Sequence, residues 1–297
     1  MNSERTARLV LPTVLALTAF AANSLLCRKA LGEELIDPVT FTTLRLAGGA
    51  AALLVVGAIR RAPGPSAKRE GSWLSALALF AYAIAFSLAY VWLDAGTGAL
   101  LLFGAVQATM IGAGLVSGER PRAAEWLGLA AALGGLVFLV FPGITAPDPA
   151  GAALMAVSGV AWGAYSLRGR HSRSPVGATT GNFLRATPMA LLVSAIVFSS
   201  ARAGTSGVAL ALISGSLTTG IGYVLWYAAL RGLAATRAAI VQLIVPVLTA
   251  FGGVAFLSER ITARLVLASV LILGGVAVAV NARGRRAGND EEPSNQR

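Results

Sequence analysis

Two arginines stand inside long apolar stretches, where a charged side chain is costly. Arg45 and Arg185 each lie well inside a predicted helix. A guanidinium in such a place can attract the carboxylate of a solute, and it can also tie its helix to backbone carbonyls of a neighbour. The sequence leaves both roles open for both residues.

Amide side chains in the apolar stretches are a second group of candidates. Asn23, Gln107 and Gln242 each carry both hydrogen-bond donors and an acceptor, so any of them can orient a polar solute. Amides also bond helix to helix inside membranes, which is a purely structural role. Both roles are therefore open for these three residues.

Aromatic side chains recur at helical spacing in three stretches. Residues three or four apart share one face of a helix, so each pair is predicted to form part of one wall. Such walls suit solutes of amino-acid size, although Trp and Tyr near the ends of a span also serve as interfacial anchors. The pairs are Tyr82 and Phe86, Trp162 and Tyr165, and Tyr223 and Trp226.

Several kinds of chemistry are not supported by the sequence. It has one histidine, His171, and one cysteine, Cys27, and it lacks a nucleotide-binding loop of the form G-x-x-x-x-G-K-[ST]. The acidic residues fall near predicted helix ends or in loops, so we expect no carboxylate at mid-membrane. The chain is therefore expected to be neither an enzyme nor an ATP-driven pump, and to hold no metal or cofactor.

The composition shows which solvent surrounds these groups. The chain is 56% hydrophobic and 12% charged, whereas about a quarter of the residues of a soluble domain are charged. Apolar windows of about 20 residues, the length that crosses a bilayer as a helix, recur throughout. Ten spans are predicted, at 9–30, 38–59, 72–94, 96–117, 123–141, 150–168, 177–200, 206–229, 237–257 and 263–281. We therefore predict an all-α integral membrane protein.

Positive charge predicts the orientation of the spans. Most of the 24 lysines and arginines fall in the terminal segments and in the loops that share a face with Met1. By the positive-inside rule, both termini are predicted to be cytoplasmic. The net charge of +11 is spread over short loops, so it indicates contact with lipid rather than with nucleic acid. No obligate protein partner is evident.

The chain ends and the middle connection carry further predictions. Arg5 and Arg8 before an apolar stretch could mark a signal peptide, but a related stretch near 153–168 favours a retained first helix. Residues 1–8 are predicted to be a cytoplasmic N-terminus, 142–149 a periplasmic linker, and the polar residues 282–297 a disordered cytoplasmic tail.

The sequence repeats itself at a spacing of 140 residues. Each copy, 9–141 and 150–281, holds five predicted spans, and because five is odd the second copy enters the membrane from the opposite side. Inverted repeats of this kind are typical of carriers that alternate between two conformations. The matched residues include Glu119 with Glu259, Arg45 with Arg185, Gly134 with Gly274 and Gly135 with Gly275.

These features together resemble the EamA-domain family of the drug/metabolite transporter superfamily. The motifs that carry the resemblance are G-E-R-P at 118–121, S-E-R-I at 258–261, W-G-x-Y at 162–165 and V-P-V at 245–247. The resemblance implies a ten-helix carrier of the bacterial inner membrane that exports small metabolites such as amino acids.

The resemblance also implies that helices 4 and 9 border a central cavity, which favours Gln107 and Gln242 as site residues. Pro246 aligns with Val106 of the first copy, so a gating bend is predicted in the second copy only. Other functions stay open, namely export of other metabolites or amphiphilic drugs, proton-coupled transport, and a channel or receptor.

Overall fold

The computed structural model describes residues 2–59, 70–118, 123–143, 145–169, 172, 174–230 and 241–290. In these ranges the chain forms ten main helices and no strand, which confirms the all-α prediction. The helices are α1 (Asn2–Gly32), α2 (Pro38–Ile59), α3 (Trp73–Ala89), α4 (Ala95–Val116), α5 (Ala123–Val140), α6 (Pro149–Gly169), α7 (Pro175–Ile196), α8, α9 (Ile244–Leu257) and α10 (Ala263–Asp290). Helix α8 has three consecutive segments, Thr205–Ile213, the π-helical Ser214–Ile221 and Gly222–Leu230.

Six of these helices are long and apolar enough to cross a membrane. Within the described residues they are α1 from Val10, α2, α4, α5, α6 and the Thr205–Trp226 part of α8. Helices α3 and α9 and the Ala263–Ala279 part of α10 are apolar but shorter. Helix α7 meets neither description, because polar residues such as Asn182 and Arg185 lower its hydropathy. The protein is thus a multi-pass membrane protein, and the full count of ten spans remains a prediction.

Three boundaries differ from those predicted. Helix α3 ends at Ala89 rather than near 94, because the chain turns before Asp94 to begin α4. Helix α10 continues to Asp290, whereas the sequence predicted that the last span ends at 281 and a disordered tail follows from 282. Residues 291–297, and the predicted start of the ninth span at 237–240, lie outside the described residues.

Contacts between helices follow a two-fold pattern that relates the halves. Helix α3 packs on α6, and the equivalent α8 packs on α1; α4 packs on α6, and α9 packs on α1. Likewise α3 contacts α7 as α8 contacts α2, while α2 with α7 and α5 with α10 are pairs of equivalent helices. A duplicated five-helix unit accounts for this pairing.

Bonds between helix ends show that equivalent helices run in opposite directions. Near the end of α1, Arg28 donates to the carbonyls of Tyr90 and Val91 at the end of α3, both at 3.1 Å. At the start of α10, Arg264 donates to the carbonyl of Phe141 at the end of α5. Because α6 follows α5 in the chain, α6 begins on the same face of the molecule as α10.

Glu259, in the connection between α9 and α10, shows that the ends of α1 and α9 lie on one face of the molecule. Glu259 lies 3.4 Å from Arg28, which places the end of α9 beside the end of α1. We call this side of the molecule the clamp face. Because α1 ends and α6 begins on the clamp face, the two five-helix units are inverted relative to each other.

Paired glycines let α5 and α10 meet backbone to backbone. A Cβ added to Gly275 would lie 2.5 Å from the Gly128 carbonyl oxygen and 2.7 Å from the Ala132 nitrogen, whereas nothing lies within 4 Å of one added to Gly274. The Gly-Gly pair of the sequence repeat thus has one glycine that packs and one that does not.

Gly275→Ala is therefore expected to lower the free energy of unfolding by about 1–3 kcal/mol, the usual cost of overpacking. The matched variant Gly274→Ala should be neutral or slightly stabilising, because alanine favours a helix over glycine. Thermal unfolding of the purified protein in detergent measures both. Equal melting temperatures for the two variants would contradict the close contact.

Candidate functional site

A small cavity lies where the two halves meet. Its wall comes from α1, α3 and α4 of the first half, and from α6, α8 and Gln242, just before α9, of the second. Among the described residues that line it, none is an aspartate or glutamate. The predicted site residues found in the wall are Asn23, Tyr82, Phe86, Trp162, Tyr223 and Gln242.

Trp162 holds the centre of an aromatic cluster that crosses from one half to the other. Its ring centroid lies 4.9 Å from that of Tyr82, 5.5 Å from that of Tyr165 and 5.2 Å from that of Tyr223. Contacts at these separations contribute beyond simple burial. We call these four residues the aromatic cluster. Tyr82 and Phe86 also share a face as predicted, with centroids 5.5 Å apart.

Small residues on α6 set the position of Trp162. A Cβ added to Gly159 would lie 2.7 Å from the Leu102 carbonyl oxygen, and one added to Gly163 would lie 2.9 Å from the Thr109 side chain. These two glycines, four residues apart, form one face of α6 that packs closely against α4. The W-G dipeptide therefore places a large ring at the cavity and a close helix contact beside it.

Arg45 is buried directly behind the cavity wall, with 1% of its surface exposed. Its Nη2 donates to the Tyr82 hydroxyl at 2.7 Å and its Nε to the Thr219 hydroxyl at 3.4 Å. The guanidinium carbon lies 4.8 Å from the ring centre of Phe86 and 5.1 Å from that of Tyr82. Three of the cavity-lining residues thus contact this one cation.

Arg185, the repeat equivalent of Arg45, has different surroundings. Its Nη1 donates to the carbonyls of Glu70 at 2.6 Å and Gly181 at 2.8 Å, and the guanidinium carbon lies 5.9 Å from the ring centre of Trp73. These contacts are near the beginning of α3, on the side opposite the clamp face. Arg185 is not part of the cavity wall, and its bonds are those of a helix tie.

Asn23 is surrounded by hydroxyl groups of α8. Its Oδ1 lies 2.7 Å from Ser214 Oγ, 3.3 Å from Thr218 Oγ1 and 3.4 Å from Thr219 Oγ1. These three residues belong to the π-helical segment, and single π-turns inside α-helices occur frequently at functional sites. A hydroxyl-rich run, S-G-S-L-T-T at 214–219, is the sequence signal that would have identified Thr218 and Thr219 as wall residues.

Gly215 allows α8 to approach α2 at this point. A Cβ there would collide with the backbone carbonyl of Arg45, and one on Gly49 would lie 3.2 Å from the carbonyl oxygen of Gly215. The π-helical segment therefore rests on the turn of α2 that carries Arg45. This contact brings the hydroxyls and the guanidinium together.

The remaining candidates do not line the cavity. Gln107 is buried in α4, and Trp226 packs edge-on against Phe20, a wall residue, with centroids 5.9 Å apart. Tyr165 stacks on the wall residue Trp162. The role of these three residues in binding stays a prediction.

Pro246 occupies the first turn of α9, just after a break in the helix. Residues 241–242 are helical, Leu243 forms a turn, and α9 begins at Ile244. Proline cannot donate to the carbonyl four residues earlier and its ring crowds that carbonyl, so the helix is interrupted beside Gln242. The break lies at the cavity, where a bend in the second half was predicted.

A charged network closes the clamp face. The Ala95 amide, at the beginning of α4, donates to Glu259 at 2.9 Å, and Arg28 lies 3.4 Å from Glu259 and 3.5 Å from Asp94. Below it, a Cβ on Gly96 would lie 2.9 Å from that of Ala250 in α9. The equivalent helices α4 and α9 are thereby held together at this face.

Burial raises the pKa of the Glu259 carboxyl, against the opposing effects of the Ala95 amide and Arg28. The folded state therefore binds this proton more tightly than the unfolded chain does. Its contribution to the free energy of unfolding grows as the pH falls through the raised pKa and is complete below the ordinary value of 4.5.

Lowering the pH from neutrality towards 4.5 is accordingly expected to stabilise the wild type relative to Glu259→Gln. The variant keeps an oxygen that accepts from Ala95 but cannot titrate. Thermal unfolding of both proteins across this pH range measures the difference, because other titrating groups cancel. Glu33→Gln, which changes an exposed carboxylate, serves as the control. Parallel pH profiles for wild type and Glu259→Gln would refute the buried carboxylate.

Two inverted five-helix units around a shared cavity define a class of protein, the membrane transporters built from inverted repeats. The chain belongs to the EamA-like transporter family, whose model matches residues 8–141 and again residues 149–281. It is therefore a multi-pass membrane transporter of small solutes.

Known proteins that are similar to this chain include the following two. Uncharacterized protein PA1977 of Pseudomonas aeruginosa is 51% identical over 283 residues, which cover 95% of this chain and 98% of that protein. A solved crystal structure shares the fold with a TM-score of 0.67 and 23% sequence identity, over 93% of this chain and 99% of that one.

Proposed function

We propose that the protein is an alternating-access carrier that exports amino acids or related compounds across the bacterial inner membrane. The observation that carries the proposal is the cavity at the junction of the inverted halves, closed towards one face by the clamp network. In such a carrier, one cavity opens to either side as the halves exchange conformations.

The orientation follows from the positive-inside rule. Helix α2 ends and α3 begins on the side opposite the clamp face, and the sequence between them contains Arg60, Arg61, Lys68 and Arg69. Short loops rich in lysine and arginine stay in the cytoplasm. The clamp face is therefore the periplasmic side, both termini are cytoplasmic, and the conformation described is the one closed to the outside.

The wall of the cavity favours small solutes that have both an apolar and a polar part. Aromatic rings offer apolar area, while Asn23, Thr219 and Gln242 supply a few polar groups for orientation.

The lining also bears on energy coupling. Carriers that exchange a proton for a cation commonly share one buried carboxylate between the two. Because no described wall residue is acidic, we expect facilitated transport, with direction set by the solute gradient.

The test is uptake of radiolabelled neutral and aromatic amino acids into proteoliposomes, with and without an imposed pH gradient. Saturable uptake that ignores the gradient is the expected result. Uptake driven by the gradient would favour the proton-coupled alternative, and uptake without saturation would favour a channel. Failure of folded protein to move any amino acid would remove the substrate assignment and direct the search to other metabolites and amphiphilic drugs.

A further inference from the structure

Arg45 is a buried cation whose hydrogen bonds are incomplete. Its Nη1 atom is inaccessible to solvent and has no hydrogen-bond partner, although Nη2 and Nε are both bonded. Among the described residues, the ion pairs join other side chains, and no carboxylate pairs with Arg45. The faces of Tyr82 and Phe86 stabilise the charge only in part.

Asn23 adds a second unused donor on the same side of the cavity. With its Oδ1 among the hydroxyls of Ser214, Thr218 and Thr219, its Nδ2 has no partner among the described residues. Asn23 is 6% exposed and belongs to the cavity wall. Thr219 Oγ1 lies within 3.4 Å of both Asn23 Oδ1 and Arg45 Nε, so one hydroxyl connects the two residues.

This balance of donors and acceptors has a chemical consequence. A buried donor without a partner costs free energy, and a buried guanidinium without an anion costs more. The acceptor of Asn23 is already in use, whereas N–H groups of Asn23 and Arg45 remain free. A ligand that completes the site must therefore bring acceptor atoms and negative charge.

We propose that the cavity selects solutes that carry a carboxylate, bound through Asn23 and attracted by Arg45. The proposal rests on the carrier function above and narrows its substrate class to monocarboxylates, including zwitterionic amino acids, while excluding cationic amphiphiles. The carboxylate lies at the π-helical segment, and the apolar part of the solute lies against the aromatic cluster. A modest shift of the Tyr82 or Phe86 ring opens Nη1 of Arg45 to the carboxylate.

The repeat equivalent of Arg45 supports this assignment by contrast. Arg185 has backbone carbonyls as acceptors and lies outside the wall, so a helix tie accounts for its position. Arg45 lacks such acceptors at Nη1. The first half therefore supplies the cation of the anion site, and Arg185 provides a matched control.

The proposal is tested by equilibrium binding to the purified full-length protein in nanodiscs. The probes are L-phenylalanine, 3-phenylpropionate, which lacks the amine, and phenethylamine, which lacks the carboxylate. We expect both carboxylates to bind and phenethylamine not to bind. Asn23→Asp is nearly isosteric and turns the free donor into a negative oxygen, so it should weaken carboxylate binding at least about tenfold, equivalent to about 1.4 kcal/mol.

Control variants separate recognition from folding. Arg45→Gln should abolish carboxylate binding, Arg45→Lys should keep part of it, and Arg185→Gln should keep it. Loss of binding in Arg45→Gln but not in Arg45→Lys would show dependence on charge.

The outcomes distinguish this proposal from the carrier function. Phenethylamine binding as tightly as 3-phenylpropionate, no effect of Asn23→Asp, or no carboxylate binding to folded protein would each overturn it. Carboxylates that bind but are not taken up into proteoliposomes would leave the anion site intact and refute the carrier proposal. Uptake of amines at the same rate as carboxylates would refute the anion site and leave the carrier proposal intact.

Discussion

Oxidising the double variant Gly96→Cys with Ala250→Cys is expected to abolish uptake of solute into proteoliposomes, and a reductant is expected to restore it. These positions join α4 to α9 at the clamp face, where a Cβ on residue 96 would lie 2.9 Å from that of Ala250. A disulfide needs about 3.5–4.5 Å between Cβ atoms, so a small separation of the helices accommodates it. In an alternating-access carrier this contact must open once per cycle.

The experiment requires a chain in which Cys27, the single native cysteine, is replaced by alanine. The reduced double variant and each single variant are the controls for bulk at residue 96. Formation of the cross-link is followed by mass spectrometry. Uptake that continues at the wild-type rate after complete cross-linking would refute alternating access through the clamp face.

Trp162→Ala is expected to lower the ratio of kcat to KM for uptake by at least about tenfold. The ring contacts three other members of the aromatic cluster, each pair being worth about 0.5–1.5 kcal/mol, so its removal leaves both the wall and the solute without an apolar surface. A tenfold change corresponds to only about 1.4 kcal/mol. Initial rates of radiolabelled uptake over a range of concentrations give both constants.

Two matched variants serve as controls for Trp162→Ala. Trp162→Phe keeps a ring and should retain much of the activity. Trp126→Ala removes a tryptophan that is 51% exposed on α5, away from the cavity, and should leave uptake unchanged. If Trp162→Ala remains folded and transports like the wild type, the cavity is not the site of solute binding.

The periodic and composition-driven features of the fold could be predicted from the sequence. Apolar runs of about 20 residues indicate helices because only helices satisfy their backbone groups within lipid. The spacing of 140 residues between Glu119 and Glu259 predicted a duplicated unit, and the pairing of α5 with α10 agrees with it. These properties are local or repeat along the chain, so tertiary contacts are not needed to detect them.

The composition of the cavity wall could be predicted only in part. The helical spacing of Tyr82 and Phe86 placed them on one face, and both line the cavity. Thr218 and Thr219 were not among the candidates. The π-helical segment places both hydroxyls near Asn23, although Thr218 also donates to the carbonyl of Ser214 on its own helix. No simple period in the sequence marks such a segment.

The two arginines show which features follow from the local sequence and which depend on packing between helices. Sequence position established that Arg45 and Arg185 are equivalent, apolar run length established that both lie in helices, and the repeat established that those helices are inverted. The tertiary structure decided that Arg45 lies behind the cavity while Arg185 bonds to carbonyls near α3. The physical reason is that a helix apolar around most of its circumference has no strongly preferred face, so its rotation is set by packing against its neighbours.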